Sequence, residues 1–495
     1  MTEPNHDHER PPGPPAAEVL VEGVPAAMSL APTAGPSLGG ELLLDPEGHT
    51  GVQSMRAGLL QAGPLAAAGV LANGANVIVT VALARLLTTH GYGTLNQLTG
   101  LFLILSMPGS AVVVAVVRRV TLWHEDGAAH LVRRWAGRIH RQGSMVVVVW
   151  GILVFVARHP MAVLLNQRSG IGIAAILAAA AFFVLLSLDR GLLQARRAYR
   201  PLAANLLVEG GVRTAAVLIL VAAGTGSSGA AVGILIAEAL AAAHARYAAV
   251  RAWSDIDAPA RPRTPSWASG WLAAVKPDPV LGGSQLARHK VLLDLLIASL
   301  SLSMVAVLQN VDVLVVGRDN STHSGAYAAV SVTSKAIVFG AIVLGGYLLP
   351  EAAIRWRQGG HALRQLGVVL VLLAVPAVVL LVVALTASHL LLQVVFHHEY
   401  AAAATALAPL VLAMIVLSVT VVLTMYLLAV GRRWVAGVLV AGAAALTVAV
   451  SLVHGAPRAT ALVDLAVQAG VMLIIVTGFT VIHRVRLRHH APGLS

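Results

Sequence analysis

The fold is decided by uncharged apolar stretches such as IGIAAILAAAAFFVLLSL, which runs from Ile171 to Leu188. A helix needs about 20 mainly apolar residues to cross the ~30 Å hydrocarbon core of a bilayer. Comparable stretches recur from Leu59 to the end of the chain, separated by short polar joints. We therefore predict an all-α polytopic membrane protein.

The composition of the 495-residue chain supports this class. Hydrophobic residues make up 57% of the chain and charged residues 11%, and the mean hydropathy is +0.80. A soluble domain has about a quarter of its residues charged, and a globule of this length has too little interior for so many apolar side chains. A cytosolic enzyme is excluded, and the lack of cysteine excludes disulfides and thiolate metal sites.

We count twelve predicted membrane spans. They cover residues 60–86, 93–118, 143–166, 171–197, 202–223, 229–250, 290–316, 325–350, 364–390, 402–429, 434–454 and 459–483. Pro108, Pro376 and Pro409 fall inside spans, and we expect kinks at these prolines.

A polar, Pro-rich joint at 251–289 separates the first six spans from the last six. We predict an N-terminal six-helix bundle over 57–250, a cytoplasmic linker over 251–289 and a C-terminal six-helix bundle over 290–485. An N-terminal tail over 1–56, which we expect to be disordered, and a C-terminal tail over 486–495 flank the bundles. The N-terminal tail is acidic, with eight Asp and Glu residues against two Arg.

A weak internal repeat relates the two bundles. Asn76 precedes Arg85, Gly91 and Tyr92 in the first, as Asn310 precedes Arg318, Gly325 and Tyr327 in the second, with an offset of 233–235 residues. Because six spans return the chain to the same side, the two halves are predicted to be parallel repeats.

The positions of Arg and Lys predict the orientation. If the N-terminus is cytoplasmic, 27 of the 34 basic residues lie on the inner face, five on the outer face and two within spans. An excess of basic residues marks the cytoplasmic side. We predict cytoplasmic N- and C-termini in a plasma membrane, and the excess of Arg over Lys suggests a bacterial source.

The joint from Arg119 to Arg141 is rich in arginine. Its apolar residues fall on one helical face and its arginines on the other. Two interpretations stay open: an amphipathic helix lying on anionic head groups, or a plain basic loop on the inner side.

Ionisable residues inside predicted spans form the candidate site. Such residues are costly in lipid and usually face a partner or a cavity. They are Glu209 and Arg213 on the fifth span, Glu238 on the sixth, Asp312 on the seventh and Lys335 on the eighth. They form either structural ion pairs between helices or the lining of a polar cavity that accepts a charged head group.

Further polar groups lie at corresponding positions of the two halves. Asn76 and Asn310 add amides near the ends of the first and seventh spans, Arg85 ends the first span, and Arg318 follows the seventh. We predict that Arg85, Arg213, Lys335, Asn76 and Asn310 line a cavity, with Arg318 at its outer mouth. Glu209, Glu238 and Asp312 would hold the cations in place or exchange a cation.

Enzyme motifs are absent from the sequence. It has no GxxxxGK[ST] phosphate loop and no HExxH, and the outer joint at 87–92 contains no acid. We predict no catalytic residues, no metal and no cofactor, so the protein is not expected to be an enzyme.

Several motifs carry a resemblance to a known family. They are GLLQARRAYR from Gly191 to Arg200 followed by Glu209 and Arg213, QNVD from Gln309 to Asp312, GAY from Gly325 to Tyr327, and Ala84-Arg85 followed by Gly91-Tyr92-Gly93. In order and spacing they resemble Wzx-type polysaccharide flippases of the multidrug/oligosaccharidyl-lipid/polysaccharide (MOP) superfamily, over about residues 57–485.

The resemblance implies a MATE-like, V-shaped pair of six-helix bundles around a central cavity. It implies that the protein flips undecaprenyl-pyrophosphate-linked oligosaccharides from the inner to the outer leaflet by alternating access. The implied partners are that lipid-linked oligosaccharide, membrane lipids, and the glycan polymerase and glycosyltransferases of the pathway, without nucleic acid. Two alternatives stay open: a cation-coupled exporter of drugs or other small molecules, and a membrane glycosyltransferase.

Overall fold

The computed structural model describes residues 78–125, 130–167, 169–254, 285–357 and 363–489, together with Ala68, Leu71, Ala75 and Asn76. The described residues contain helices, turns and bends, and no strand. The all-α prediction is therefore confirmed for this part of the chain. The predicted N-terminal tail, most of the predicted linker and most of the first predicted span lie outside the described residues.

The N-terminal half contains seven described helices. They are α1 (78–86), α2 (Thr89–Glu125), α3 (His130–Val156), α4 (Arg158–Leu164), α5 (Gly170–Ala195), α6 (Tyr199–Leu220) and α7 (Gly226–Ala252).

The C-terminal half also contains seven described helices. They are α8 (Gln285–Asp319), α9 (Ser324–Arg357), α10 (Leu363–Thr386), α11 (Ser388–Val395), α12 (Leu407–Ala429), α13 (Trp434–Ser451) and α14 (Pro457–His489). A 3₁₀ segment, His398–Ala406, connects α11 to α12.

Ten stretches of the described residues are long and apolar enough to cross a membrane. One of them, Tyr199–Ala252, contains both α6 and α7. The two helices are joined by a π-helical turn, Val221–Thr225, where Gly224 has a φ of 82° and Gly226 a φ of 62°. Glycine adopts this left-handed backbone without steric cost, so the chain reverses and α7 packs back against α6.

Three details differ from the predictions. Pro409 lies in the first turn of α12, where its missing N–H group is not needed, so we expect no kink there. The C-terminal half begins its first helix at Gln285, five residues before the predicted boundary, and its last helix continues to His489. Residues 130–141 are neither a separate interfacial helix nor a loop, because α3 runs without a break from His130 into the third predicted span.

The two halves repeat the same packing scheme. The helix α5 packs against α2, α3 and α7, and its counterpart α12 packs against α9, α10 and α14. A short helix follows the third span in each half, α4 in the first and α11 in the second. The predicted internal repeat therefore has a counterpart in the arrangement of the helices.

The third span of each half has many exposed apolar side chains. The side chains of Val148, Val149 and Ile152 on α3 are exposed, and so are those of Val371, Val375 and others on α10. Contiguous exposed apolar surface of this extent marks contact with an apolar environment. The arrangement fits helices that face the hydrocarbon of a bilayer.

Candidate functional site

The helix α2 joins the two halves, because it packs against α8 and α9 as well as against α5. The contacts are tightest where α2 and α9 begin. We call this end of the molecule the tied end; it contains Thr89, Ser321 and Glu399. The charge distribution of the sequence predicts that the tied end is the outer one.

Three aromatic rings close the tied end. Tyr92 on α2 lies edge-on to Tyr400, with the ring centroids 5.5 Å apart, and Phe396 packs against both rings at 6.1 and 5.8 Å. The hydroxyl of Tyr400 donates a hydrogen bond of 2.8 Å to the carbonyl oxygen of Ala84 on α1. An aromatic cluster from the C-terminal half is thus anchored to two helices of the N-terminal half.

Hydrogen bonds between the halves surround this cluster. The Thr89 hydroxyl donates to Glu399 Oε2 at 2.6 Å, and His90 Nδ1 lies 3.3 Å from the Ser321 carbonyl oxygen, to which it donates in the tautomer protonated at that nitrogen. About two turns further along α2, Gln97 Nε2 donates to the Leu314 carbonyl oxygen on α8 at 3.0 Å. These bonds hold α2 against α8, the turn that follows α8 and the 3₁₀ segment.

Below the tied end lies a cavity between the halves. Its polar lining from the N-terminal half includes Asn76, Asn96 and Arg213, and its polar lining from the C-terminal half includes Asn310 and Lys335. The cavity volume is about 70 Å³, roughly that of two water molecules at the ~30 Å³ each occupies in the liquid. A larger occupant therefore requires the halves to move apart.

The N-terminal side of the cavity is backed by a buried ionic cluster. Arg213 on α6 donates to both Glu209 on the same helix and Glu238 on α7, and Glu209 also accepts from Arg190 on α5. Arg190 Nε in turn donates to Asn205 Oδ1 at 2.7 Å. Two cations and two carboxylates bind three helices together, and the formal charges cancel.

The C-terminal side has a second buried cluster. Lys335 Nζ on α9 lies 3.5 Å from Asp312 Oδ1 on α8 and donates to Asn310 Oδ1 at 3.3 Å, while the Tyr327 hydroxyl donates to Asp312 Oδ2 at 2.9 Å. Asp464 on α14 is fully buried and interacts electrostatically with both Asp312 and Lys335.

The two clusters differ in charge balance. Among the described residues of the C-terminal cluster, Asp312 and Asp464 face a single cation, Lys335. Gln468 Nε2 donates to Asp464 Oδ1 at 3.2 Å, and Asp464 Oδ2 has no hydrogen-bond partner in the described part of the chain. A buried carboxylate without a counter-charge is costly, so this cluster favours an added proton or cation.

The structure places the predicted site residues as follows. Arg213, Lys335, Asn76 and Asn310 lie at the cavity. Glu209 and Glu238 are buried behind Arg213, and Asp312 is buried beside Lys335.

Two predicted residues lie away from the cavity lining. The side chain of Arg85 is exposed at the end of α1, and it is outside the described lining. Arg318 is more than half exposed at the tied end, with its Nε 3.7 Å from Asp319 Oδ1.

Several residues at the site were not among those predicted. Arg190 lies near the polar joint after the fourth predicted span, where an arginine at the inner face is expected, yet its side chain is buried in the N-terminal cluster. Asp464, Tyr327 and Gln468 complete the C-terminal cluster. The signal that could have found Asp464 is its charge within the twelfth span, whereas its proximity to Lys335 depends on how α14 packs.

Comparison with known proteins gives fold relatives only. No protein-family profile matches the chain, and no curated protein matches it. Similar solved structures are the lipid II flippase MurJ in an inward closed conformation, an inward-facing multidrug resistance MATE family transporter of the MOP superfamily, and a mutant of the MATE transporter VcmN from Vibrio cholerae.

These likenesses cover most of each chain at low identity. The MurJ structure has a TM-score of 0.56 at 10% identity, over 84% of this chain and 87% of that one. The MATE family transporter has a TM-score of 0.53 at 12% identity, over 82% of this chain and 99% of that one. The VcmN mutant has a TM-score of 0.51 at 15% identity, over 85% of this chain and 96% of that one. At such identities the likeness establishes the fold alone: this chain has the fold of MOP superfamily transporters.

Proposed function

We propose that the protein is a flippase that moves a pyrophosphate-linked lipid oligosaccharide across the membrane by alternating access. One observation carries the proposal: a single cavity between the two halves is lined by a cation from each half, Arg213 and Lys335. The shared fold of the lipid II flippase MurJ supports a lipid-linked substrate.

The physical task of a flippase explains the polar cavity. A sugar hydroxyl dragged through hydrocarbon loses its hydrogen bonds to water, at a cost of several kcal/mol for each group. Amides such as those of Asn76, Asn96 and Asn310 replace those bonds, while the lipid chain stays in the bilayer. Arg213 and Lys335 supply donors for phosphate oxygens, and charge-assisted hydrogen bonds of this kind are the stronger ones.

The ion pairs give the cavity a way to respond to the head group. Lys335 is held by Asp312 and Asn310 at 3.5 and 3.3 Å, contacts that a pyrophosphate can replace. A substrate shifts a two-state equilibrium only by binding one state better than the other. In this proposal the tied end is the outer gate, and capture of the pyrophosphate between Arg213 and Lys335 favours its opening.

Glycan export in a strain that lacks the gene tests the proposal. Lys335→Gln removes the cation and keeps a polar side chain, so we expect export to fall about tenfold, the factor that corresponds to 1.4 kcal/mol. Arg458→Gln, at an exposed site of the tied end, is the matched control and is expected to export normally. Full export by Lys335→Gln at normal expression contradicts the proposed role of Lys335.

A second candidate is a cation-coupled exporter of amphipathic small molecules, and Asp464 favours it. The C-terminal cluster has one carboxylate more than its cation balances, as a site that takes up and releases a proton or metal cation requires. Restored drug efflux without restored glycan export in the same strain supports this candidate against the flippase.

A further inference from the structure

One strongly charged surface is not used by the proposed transport cycle. Arg134, Arg138 and Arg141 lie on the exposed side of the first part of α3, and we call this surface the basic face of α3. The opposite side of the same segment is buried, with Val132 and Ala136 packed in a cluster that also contains Trp253. Leu131 is the large apolar side chain of this segment that is exposed, at 39%, so the segment has little free apolar surface with which to enter a membrane.

The chain itself contains a partner of opposite charge. The acidic N-terminal tail, 1–56, has eight carboxylates against Arg10 and Arg56. The chain that follows it reaches the described structure at Ala68, which is 2% exposed and belongs to the same buried cluster as Val132 and Ala136. The described chain is thus first met at the buried side of the same segment of α3 whose other side is the basic face.

We propose that the acidic segment from Glu41 to Glu47 binds the basic face of α3 in the same chain. The 13 residues from Glu47 to the start of the first predicted span at residue 60 can extend over as much as ~45 Å, so the segment reaches the face. A tether of this kind gives a local concentration in the millimolar range. The bound tail covers arginines that otherwise attract anionic lipid head groups.

Geometry favours the tail over the bilayer as the occupant. The exposed apolar part of α3 begins at Met145, and Arg134 precedes it by 11 residues, which is about 16 Å along a helix. The head-group layer is only ~5–8 Å thick on each side. On a helix that runs along the bilayer normal, Arg134 therefore lies beyond the head groups, where a tethered peptide can reach it, whereas Arg141, four residues before Met145, lies at head-group level.

Distance measurements on the full chain in nanodiscs test the proposal. The chain has no cysteine, so spin labels attach only to introduced cysteines. We place them at Ser37→Cys in the tail and at Gly137→Cys on α3, where an added Cβ meets no atom within 4 Å. The nanodiscs contain phosphatidylglycerol mixed with phosphatidylcholine, so that anionic lipid competes for the same arginines. We expect a short, narrow distance distribution near physiological salt that broadens at about 1 M salt, where the Debye length falls to ~3 Å.

The matched control changes charge and keeps the tether. Glu41→Gln, Asp45→Asn and Glu47→Gln together leave the length of the tail and the folded helices unchanged, and we expect them to broaden and lengthen the distribution. Charge reversal of Arg134, Arg138 and Arg141 to Glu is expected to do the same. An identical distribution for the charged and neutralised tails overturns the proposal, because the anionic bilayer or no partner then occupies the basic face.

Discussion

Gly93 at the start of α2 lies directly against Gly325 at the start of α9, and a Cβ added to Gly93 would be 2.6 Å from the Gly325 backbone nitrogen. A Cβ added to Gly325 would come equally close to the Thr89 carbonyl carbon. In the internal repeat the counterpart of Gly325 is Gly91, two residues before Gly93. The contact of Gly93 with Gly325 permits the helices to meet, and in the proposed cycle it belongs to the closed outer gate.

A larger residue at this contact is expected to open the tied end. Gly325→Val places side-chain atoms where the backbone of Thr89 lies, and overpacking of this kind typically costs about 1–3 kcal/mol. We expect spin labels at Leu86→Cys and His398→Cys, one on each half, to report a longer distance than without the valine.

Gly211→Val is the control for that experiment, because an added Cβ there meets no atom within 4 Å. Identical label distances in Gly325→Val and Gly211→Val would show that the glycine contact does not hold the gate closed.

Removing the Tyr400 hydroxyl is expected to weaken the gate without breaking it. Tyr400→Phe loses the hydrogen bond to the Ala84 carbonyl oxygen, worth about 0.5–1.5 kcal/mol, and keeps the aromatic packing. The same label pair should show a larger open population, by up to about tenfold. Tyr247→Phe, at an exposed tyrosine away from the interface, should leave the populations unchanged, and an equal effect of both changes would refute the role of Tyr400.

Breaking the N-terminal cluster is expected to destabilise the fold. Arg213→Ala leaves Glu209 and Glu238 buried without that cation, and loss of one partner of a buried ion pair costs about 3–5 kcal/mol. Thermal unfolding in detergent should show a clear fall in midpoint.

Double substitution separates charge from packing in this cluster. Arg213→Ala combined with Glu238→Gln removes one of the two carboxylates that contact Arg213, so we expect part of the lost stability to return. Arg85→Ala, at an exposed arginine, is expected to leave the midpoint unchanged. A double variant no more stable than Arg213→Ala alone would argue against the electrostatic explanation.

Removal of the acid Asp464 and removal of the base Lys335 are expected to have different effects on the stability of the protein. Asp464→Asn removes one of two carboxylates that face Lys335, so we expect stability equal to or above that of the unchanged protein. Lys335→Met leaves both carboxylates without their cation and should be destabilised, by about 3–5 kcal/mol. Unfolding midpoints in the reverse order would mean that Asp464 is needed as an anion to hold the cluster together.

The positions of the helices could be predicted because membrane spans have a local signal. An apolar stretch of sufficient length has few alternatives to a helix in lipid, and eleven of the twelve predicted spans coincide with described helices. Errors arose where the signal is weak. The basic segment from His130 to Arg141 was expected to be an interfacial helix or a loop, but it is the first part of α3, because its apolar side packs against other helices.

The candidate site could be predicted only in part. Charge within a span marked Arg213 and Lys335, since burial of an isolated charge is costly. It did not mark Arg190, because its position near a polar joint is equally typical of an exposed arginine. The meeting of Tyr92 with Tyr400 depends on how α2 and the 3₁₀ segment dock, and such long-range contacts have no signature in either segment alone.

The most direct test of the central claim is a flipping assay in proteoliposomes that contain a fluorescent undecaprenyl-pyrophosphate oligosaccharide. The claim is that Arg213 and Lys335 together receive the pyrophosphate head group. We expect the unchanged protein to make the sugar accessible to an impermeant glycosidase, and Lys335→Met and Arg213→Lys each to slow that exposure about tenfold or more. Exposure no faster than in protein-free liposomes, or equal rates for all three proteins, would contradict it.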